Sequence, residues 1–305
     1  MANAVVFLNG VELTRHKDGY TPFSARLTGH LHPGDNLVTV AIDGSENPDI
    51  PPFGGRIDYL TYAGIYREAA LRISAPVSIG TAKIETPDAL AATKTVTVAI
   101  DFDNPQGHPV SGRLTATVRA ADGTALGSAE TPVDGTPVRL HIAGLRDIAL
   151  WDLDRPVLYT LELALETPYG RDALSERFGF RTAEFTAQGF RLNGRPLKLR
   201  GLNRHQSFPY VGYALGRTAQ ERDAEILKRE LHVNMVRTSH YPQSRHFLRR
   251  CDELGLLVFE EIPGWQHVGG AAWKAEAVEN VRRMIRRDWK HPSIVIWGVR
   301  INESV

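Results

Sequence analysis

The spacing of apolar and polar positions changes at about residue 182. Before that point the apolar segments are short or alternate with polar residues, as in Thr95–Phe102 and Leu114–Val118. Such alternation is typical of half-buried strands. From residue 183 onward, short apolar runs are separated by segments with helical spacing. The pattern predicts antiparallel β-structure first and a parallel strand–helix repeat afterwards.

The β-rich part is predicted to form two domains, residues 1–74 and residues 75–182. In the first, Asn9-Gly10 is a hairpin signal between two apolar strands. In the second, strands recur at short intervals between turn residues, which predicts an antiparallel sandwich. The predicted strands of the two domains are Ala4–Leu8, Val11–Leu13, Leu37–Ile42, a segment near Ala70–Ile73, Thr95–Phe102, Leu114–Val118, Val138–Ile142 and Leu158–Leu165.

Residues 183–305 are predicted to form a third domain with four parallel strands. A hairpin turned at Asn193-Gly194 comes first, and the four strands end near Gly201, Thr238, Glu260 and Val299. The last strand is an apolar run, which predicts burial on both of its faces. The intervening helices are predicted from a capping box at Thr218–Glu221 to Leu231, from Pro242 to Gly255, and from about Trp273 to Lys290. The first of them is predicted to bury Ala224, Leu227 and Leu231 on one face.

Polar or aromatic clusters follow each of the four predicted parallel strands. They are Asn203 with His205, Arg237 with His240, Glu261 with Trp265, and Asn302 with Glu303. Because the carboxyl ends of parallel strands meet at one edge, these clusters predict an active site there. Each cluster also has a structural explanation, such as an ion pair of Arg237 with Glu260 or Glu261. Four clusters in corresponding positions favour the active site.

Composition excludes several classes of function. The formal net charge is +1, which leaves no electrostatic footprint for nucleic acid or an anionic membrane. No apolar run approaches the roughly 20 residues of a membrane span, and the start at Met1 lacks a signal-peptide pattern, so we expect a cytoplasmic protein. The lone Cys251 is predicted to be an inert core thiol. The histidines show no metal-ligand spacing and no phosphate loop is present, so no cofactor is expected.

The end of the chain carries a family resemblance. His291-Pro-Ser-Ile-Val-Ile-Trp297, followed by Asn302-Glu303, resembles the acid/base motif of glycoside hydrolase family 2, which contains β-galactosidases, β-glucuronidases and β-mannosidases. Four residues separate Trp297 from Asn302, where the commoner family form has three. This difference indicates a divergent branch, so the motif does not identify the sugar.

Further segments resemble the same family along almost the whole chain. Residues 200–205 (RGLNRH) and 236–242 (VRTSHYP) resemble its first and second barrel-strand motifs. Residues 7–10 (FLNG) and 64–67 (GIYR) resemble its sugar-binding jelly roll, and residues 151–159 resemble its spacer domain. The resemblance implies a multidomain β plus α/β fold with a partial jelly-roll sandwich, an immunoglobulin-like β-sandwich and the N-terminal half of a (β/α)8 TIM barrel.

The resemblance also implies roles for the candidate residues. Glu303 matches the general acid/base and Asn302 the asparagine that hydrogen-bonds the sugar's 2-hydroxyl. Arg237, His205 and His240 match positions in the sugar pocket, beside Asn203, Glu261 and Trp265. The implied activity is that of a retaining β-glycosidase acting on a β-glycoside, in a protein that can form homo-oligomers.

Two family features are expected to lie outside this chain. The nucleophile, a glutamate, belongs to the seventh barrel strand, and only Glu260 and Glu261 are placed to substitute for it. About half of the jelly roll would precede Met1. We therefore expect a fragment that is incomplete as a catalyst. The alternatives are a non-catalytic carbohydrate-binding protein and a truncated product.

Three tyrosines of the first domain, Tyr59, Tyr62 and Tyr66, have two possible roles. We expect them to form part of the core of the first β-sandwich. The alternative is that they are exposed aromatic residues of a sandwich loop, around Asp58–Tyr62 and Arg67, that stack on sugar rings.

Overall fold

The computed structural model describes residues 3–300, so Asn302 and Glu303 lie outside the described residues. The first domain contains a three-stranded antiparallel sheet in the order β2-β1-β3. Asn9 and Gly10 both have positive φ, as the tight hairpin between β1 and β2 requires. The predicted hairpin and the third strand are confirmed. The strands are β1 (Asn3–Leu8), β2 (Val11–Lys17) and β3 (Val38–Asp43).

The strand predicted near Ala70–Ile73 is wrong. This segment has no ladder partner among the described residues, and Leu71 and Ile73 are 72% and 89% exposed. Its apolar residues match strand composition, but the connection from the first domain to the second passes over the surface there. A local pattern cannot distinguish these two situations.

The second domain is an immunoglobulin-like sandwich of seven strands. One sheet has the order β4-β5-β8 and the other the order β10-β9-β6-β7. The inward residues of both sheets form one continuous apolar core, which includes Val98, Leu114 and Leu163. The strands are β4 (Ser78–Glu85), β5 (Lys94–Asp103), β6 (Ser111–Arg119), β7 (Ala125–Asp134), β8 (Val138–Leu145), β9 (Tyr159–Thr167) and β10 (Gly170–Phe178).

The third domain begins with a small antiparallel sheet and continues as four parallel strands in the order β14-β15-β16-β17. Helices connect successive parallel strands, as in the first half of a TIM barrel. The small sheet contains β11 (Ala183–Thr186), β12 (Gly189–Leu192) and β13 (Arg195–Pro196). The barrel elements are β14 (Gly201–Asn203), α1 (Arg217–Glu225), β15 (Met235–Arg237), α2 (Arg245–Leu254), β16 (Leu257–Glu261), α3 (Ala271–Asp288) and β17 (Ile294–Gly298).

Both predicted starts of the first two helices are wrong. Helix α1 begins after Gly216, with no side-chain cap, so Thr218 already lies inside the helix. Helix α2 begins after Ser244, whose Oγ accepts a hydrogen bond from the backbone N–H of His246 at 3.3 Å. Pro242 therefore belongs to the preceding loop. The serine cap satisfies a free N–H group of the first turn, which places the helix start three residues later.

Two predictions of burial also differ from the structure. Leu231 is 52% exposed, because a π-helical turn at Ile226–Glu230 follows α1 and shifts later positions off the 3.6-residue spacing. Strand β17 was expected to be buried on both faces. Its middle residues, Val295 to Trp297, are only half-buried, because β17 is an edge strand of the described sheet.

The second domain is attached to the barrel strands at the edge where they begin. Trp151 is fully buried and donates its indole N–H to the backbone carbonyl of Asp252 at 2.8 Å. The Asp252 carboxylate accepts hydrogen bonds from the backbone N–H and the hydroxyl of Ser293, just before β17. Arg181 donates to the carbonyls of Pro292 and Ile294. These contacts fix the start of β17 against the sandwich.

The first domain packs against α3 of the barrel. Trp273 donates its indole N–H to the carbonyl of Phe53 at 3.2 Å, and Arg283 donates to the carbonyl of Lys17 at 3.0 Å. His16 lies in this contact with 5% exposure, its ring stacked on Phe23 at 4.3 Å. Its Nε2 atom has no hydrogen-bond partner among the described residues.

The burial of His16 predicts acid sensitivity. Desolvation, and to a lesser degree the charge of Arg283, lower the pKa of His16 from 6.5 to about 4. Between these pH values the unfolded chain binds the proton and the folded chain does not, so stability falls as pH falls. Between pH 7 and pH 5, the free energy of unfolding of the wild-type chain should fall by about 2 kcal/mol more than that of His16→Gln. Urea unfolding at the two pH values measures this difference.

The matched control is His30→Gln, since His30 is exposed. This variant should keep the full loss of stability between pH 7 and pH 5. Equal pH dependence in the two variants would show that His16 does not cause the loss.

Candidate active site

The carboxyl ends of β14 to β17 meet at one edge of the sheet. Parallel pairing places Asn203 beside Arg237, and Glu261 beside Gly298. This register follows from the four strands running in the same direction, with each helix returning the chain to the opposite edge. Residues at the carboxyl ends of β14, β15 and β16 are therefore collected on one face, and the pair predicted after β17 lies outside the described residues.

A buried carboxylate is the centre of this face. Glu261 has no exposed surface; its Oε2 accepts a hydrogen bond from Nε of Arg237 at 3.0 Å, and its Oε1 lies 2.6 Å from Nδ1 of His240. Arg237 also approaches Nδ1 of His240 at 3.4 Å. The peptide bond between Ser239 and His240 is cis. The side chains of Arg237, His240 and Glu261 are called the charged cluster below.

Aromatic rings form a wall beside the charged cluster. The ring of Tyr59 lies 5.8 Å from each of the rings of His205 and His240, and 6.2 Å from Trp265 in an edge-to-face arrangement. Trp265 is 5.0 Å from His240. The Nδ1 atom of His205 lies 3.3 Å from the hydroxyl of Tyr241. The site thus combines charged hydrogen-bonding groups with aromatic faces.

The first-domain tyrosines do not form a sandwich core, so that prediction is wrong. Tyr59 donates its hydroxyl to the carbonyl of Gly264, in the loop after β16, at 3.0 Å. Tyr62 and Tyr66 pack on the ring of Tyr213 at 4.6 Å and 5.4 Å. All three rings contact the barrel, because the segment that carries them crosses over the carboxyl ends of the barrel strands.

Burial shifts the pKa values of two further groups. Partial burial, and then the neighbouring His240, lower the pKa of His205, so its ring is neutral near pH 7. Burial, and then the carboxylate of Asp288, raise the pKa of Glu260 well above its usual range. Glu260 has no exposed surface and accepts a hydrogen bond from Arg287 at 2.9 Å. This contact joins β16 to α3.

The buried residues that support this site were not identified from the sequence. Arg204 lies between Asn203 and His205, yet it is buried and directed away from them. Its guanidinium donates to Asp223 at 3.0 Å and to Gln220 at 2.8 Å. It also lies 4.2 Å from the ring of Phe247. The sequence places Arg204 between two candidate site residues, which was a usable signal. The direction of its side chain, however, depends on its contacts with α1 and α2.

Another missed connection joins the first domain to this support. Arg67 donates hydrogen bonds to the side-chain oxygen of Gln206 and to the backbone carbonyl of Tyr213. Gln206 is buried directly after His205. The sequence singled out Arg67 with the tyrosines, but it could not indicate a partner about 140 residues away.

Five of the predicted site residues are brought together by the fold. They are His205, Arg237, His240, Glu261 and Trp265. Asn203 ends β14 with an exposed side chain and makes none of the described hydrogen bonds of the charged cluster. Asn302 and Glu303 follow β17 but lie outside the described residues.

Within residues 3–300, no group of three or more histidine, cysteine, aspartate or glutamate side chains is arranged to hold a metal ion. None of the helices in this range is both long and apolar enough to cross a membrane.

Two β-domains placed against parallel strands, with a charged and aromatic cluster at the strand ends, are the arrangement found in multidomain proteins that contain a TIM barrel. Comparison with known proteins specifies the family. The family model for "Glycosyl hydrolases family 2" matches residues 77–181, and the model for "Glycosyl hydrolases family 2, TIM barrel domain" matches residues 183–305. The chain belongs to glycoside hydrolase family 2, and the resemblance found in the sequence is confirmed.

Individual relatives agree with this assignment. The chain is 50% identical to a β-galactosidase of Thermoanaerobacterium thermosulfurigenes over 100% of the chain and 43% of that protein. It is 50% identical to a β-galactosidase of Rhizobium meliloti over 95% of the chain and 39% of that protein. An apo structure of Bacteroides uniformis β-glucuronidase 3 superposes with a TM-score of 0.90 at 28% identity, covering 99% of the chain and 39% of that structure. The chain thus spans about two fifths of each of these proteins.

The charged cluster predicts a stability effect. Glu261→Gln keeps the shape of the side chain but removes the counter-charge of Arg237 and the ionic acceptor of His240. We expect the free energy of unfolding to fall by about 2–4 kcal/mol. This range allows for solvent screening of the pair, because Arg237 is 21% exposed. Urea unfolding at pH 7, followed by tryptophan fluorescence, measures this change.

The control for this variant is Glu221→Gln. Glu221 forms an exposed pair with Arg217 one turn away on α1, at 2.7 Å. Its loss should change stability by no more than about 0.5 kcal/mol. If Glu261→Gln changed stability as little as the control does, the buried pair would not organise the site.

Proposed function

We propose that this chain binds the sugar of a β-glycoside at the carboxyl ends of β14 to β17 and supplies the general acid/base of a retaining β-glycosidase. The observation that carries the proposal is the buried Glu261 held between Arg237 and His240, beside Trp265 and Tyr59. Sugar hydroxyls need fixed polar partners, and the C–H face of a sugar ring packs on aromatic side chains.

Glu303 and Asn302 are assigned their roles from the family motif that follows β17. The pairing of Gly298 with Glu261 supports these roles, because the chain leaves β17 at the edge that carries the charged cluster. Glu303 would protonate the glycosidic oxygen as the bond breaks, and Asn302 would hydrogen-bond the 2-hydroxyl. Asn203 and His205, at the end of β14, would line the rim of the same pocket.

A β-galactoside is the substrate that we favour. Both relatives at 50% identity are called β-galactosidases. Within the described half of the site, the charge of Arg237 is compensated by Glu261, and the neighbouring His205 is neutral near pH 7. These groups suit a neutral sugar better than a uronic acid, whose carboxylate requires a cation.

Retention of configuration requires a second carboxyl group about 5–5.5 Å from the acid/base. Glu260 and Glu261 are poor candidates for this nucleophile, since both are fully buried and paired with arginine. In the family the nucleophile belongs to the seventh barrel strand. We therefore propose that this chain alone binds glycosides without turning them over.

A chimaera tests the assigned roles. This chain would replace the matching segment of the Thermoanaerobacterium thermosulfurigenes β-galactosidase, and hydrolysis of 4-nitrophenyl β-D-galactoside would be measured. Turnover should be retained in the chimaera. Glu303→Gln should lower kcat by about 10²–10⁴-fold, because glutamine cannot act as the base that activates water against the glycosyl-enzyme, whereas 4-nitrophenolate departs with little protonation. Glu221→Gln, with its exposed carboxylate on α1, should have no effect.

Three results would count against parts of the proposal. Unchanged turnover in the Glu303→Gln chimaera would mean that another group is the acid/base. Turnover by this chain alone would show that a nucleophile is present within it or its oligomer. Faster hydrolysis of the β-glucuronide than of the β-galactoside would overturn the choice of sugar.

A further inference from the structure

A single arginine on α3 connects three other parts of the chain. The Arg287 side chain is only 6% exposed. Its Nη2 atom donates hydrogen bonds to the backbone carbonyl of Gln243 at 3.0 Å and to Oε1 of Glu260 at 2.9 Å. Its Nη1 atom donates to the carbonyl of Tyr20 at 3.4 Å, and its Nε atom donates to the adjacent Asp288 at 2.5 Å. One guanidinium therefore contacts a loop, a strand and the first domain at once.

The strand contact is made by the immediate neighbour of the central carboxylate. Successive residues of a strand point to opposite faces of the sheet. Glu261 contacts the other two members of the charged cluster, so Glu260 points to the opposite face of β16, where it meets Arg287. Because the two glutamates share a peptide bond, a shift of Glu260 would also shift Glu261.

The loop contact fixes the segment that carries His240. This loop joins β15 to α2, and Gln243 is buried near its end. The amide side chain of Gln243 donates to the carbonyl of Arg204 at 3.1 Å and accepts a hydrogen bond from its guanidinium. The loop is therefore held by the residue after β14 through a side chain, and by Arg287 through the backbone.

The first-domain contact reaches the same loop. The ring of Tyr20 stacks on the ring of Tyr241 at 4.6 Å, with 9° between the planes. Tyr241 directly follows His240, and its hydroxyl lies 3.3 Å from Nδ1 of His205. The backbone of Tyr20 thus contacts Arg287 while its ring packs on the loop that Arg287 holds.

The geometry of this connection requires an arginine. A guanidinium presents five N–H groups in a fixed plane, whereas the ammonium of lysine is a compact point charge. A buried cation is also costly unless neighbouring groups compensate its charge. Glu260 and Asp288 provide that compensation for Arg287, at 2.9 Å and 2.5 Å.

We propose that Arg287 is a positioning residue for the sugar site. It holds the loop of His240 and the strand of Glu261 at a fixed separation, and so sets the 2.6 Å contact between Nδ1 of His240 and Oε1 of Glu261. None of its described hydrogen bonds reaches the charged cluster itself, so it acts through Glu260 and Gln243. This proposal rests on the proposed function of the charged cluster.

The first readout is the ring proton of His240. A carboxylate only accepts hydrogen bonds, so Nδ1 of His240 donates to Glu261. In spectra of the ¹⁵N-histidine-labelled chain, this N–H should give a low-field signal that is absent from His240→Gln. Arg287→Lys should speed the exchange of this proton with water about tenfold, because the contact opens more often when its two supports move independently.

The second readout is the affinity of this chain for methyl β-D-galactoside, measured by titration calorimetry. Arg287→Lys should weaken binding about tenfold, because binding groups must be held to within about 0.5 Å. Glu260→Gln keeps the side-chain length and an acceptor oxygen, so it should move both readouts in the same direction by a smaller factor. This second variant decides the question if Arg287→Lys does not fold.

The matched control is Arg283→Lys. Arg283 lies one turn earlier on α3, donates to the carbonyl of Lys17 in the first domain at 3.0 Å and pairs with Glu276 at 2.9 Å. None of its described hydrogen bonds involves a parallel strand. Arg283→Lys should keep the wild-type exchange rate and affinity, even if thermal unfolding shows the same loss of stability as in Arg287→Lys.

Two results would overturn the positioning role. One is a wild-type exchange rate and affinity in folded Arg287→Lys. The other is an equal change in Arg283→Lys, which would mean that both readouts follow general stability. If the wild-type chain did not bind the galactoside, the proposed function would fail, and the exchange rate would still decide whether Arg287 positions His240.

Discussion

The ion pair at Glu261 is the interaction on which the site depends. A carboxylate with no exposed surface is strongly destabilising unless charged partners surround it. Arg237 and His240, at the end of β15, are those partners for Glu261 on β16. These contacts hold the ends of β15 and β16 against each other. They also hold the Arg237 guanidinium in place, still partly exposed at the edge where β17 ends.

The two β-domains act on opposite edges of the barrel half. The immunoglobulin-like domain holds the edge where strands begin, through Trp151 and through the Asp252 carboxylate at Ser293. The first domain covers the edge where strands end, through Tyr59 and Arg67. In TIM barrels the first edge contributes stability and the second contributes chemistry. In this chain the first edge carries the contacts with the immunoglobulin-like domain, and the second edge carries the charged cluster.

Three predictions followed local patterns that the structure does not keep. The capping box at Thr218 fitted its pattern, but the structure starts α1 earlier, after Gly216, with no side-chain cap. Leu231 fitted a helical spacing that a π-helical turn altered. Tyr59 fitted a sandwich core, and its ring packs on a barrel domain about 200 residues later. For Tyr59, a contact distant in sequence replaced the local preference.

The sequence alone determined the order of strands and helices, most strand positions, the family and the five residues that meet at the carboxyl ends of the strands. These follow from periodicity and motif, which depend on near neighbours along the chain. Tertiary structure decided which partners the site residues have: Glu261 for Arg237, Tyr59 for Trp265, and Asp223 for Arg204. Those pairings join residues far apart in sequence, and a linear pattern carries no information about the distance between them.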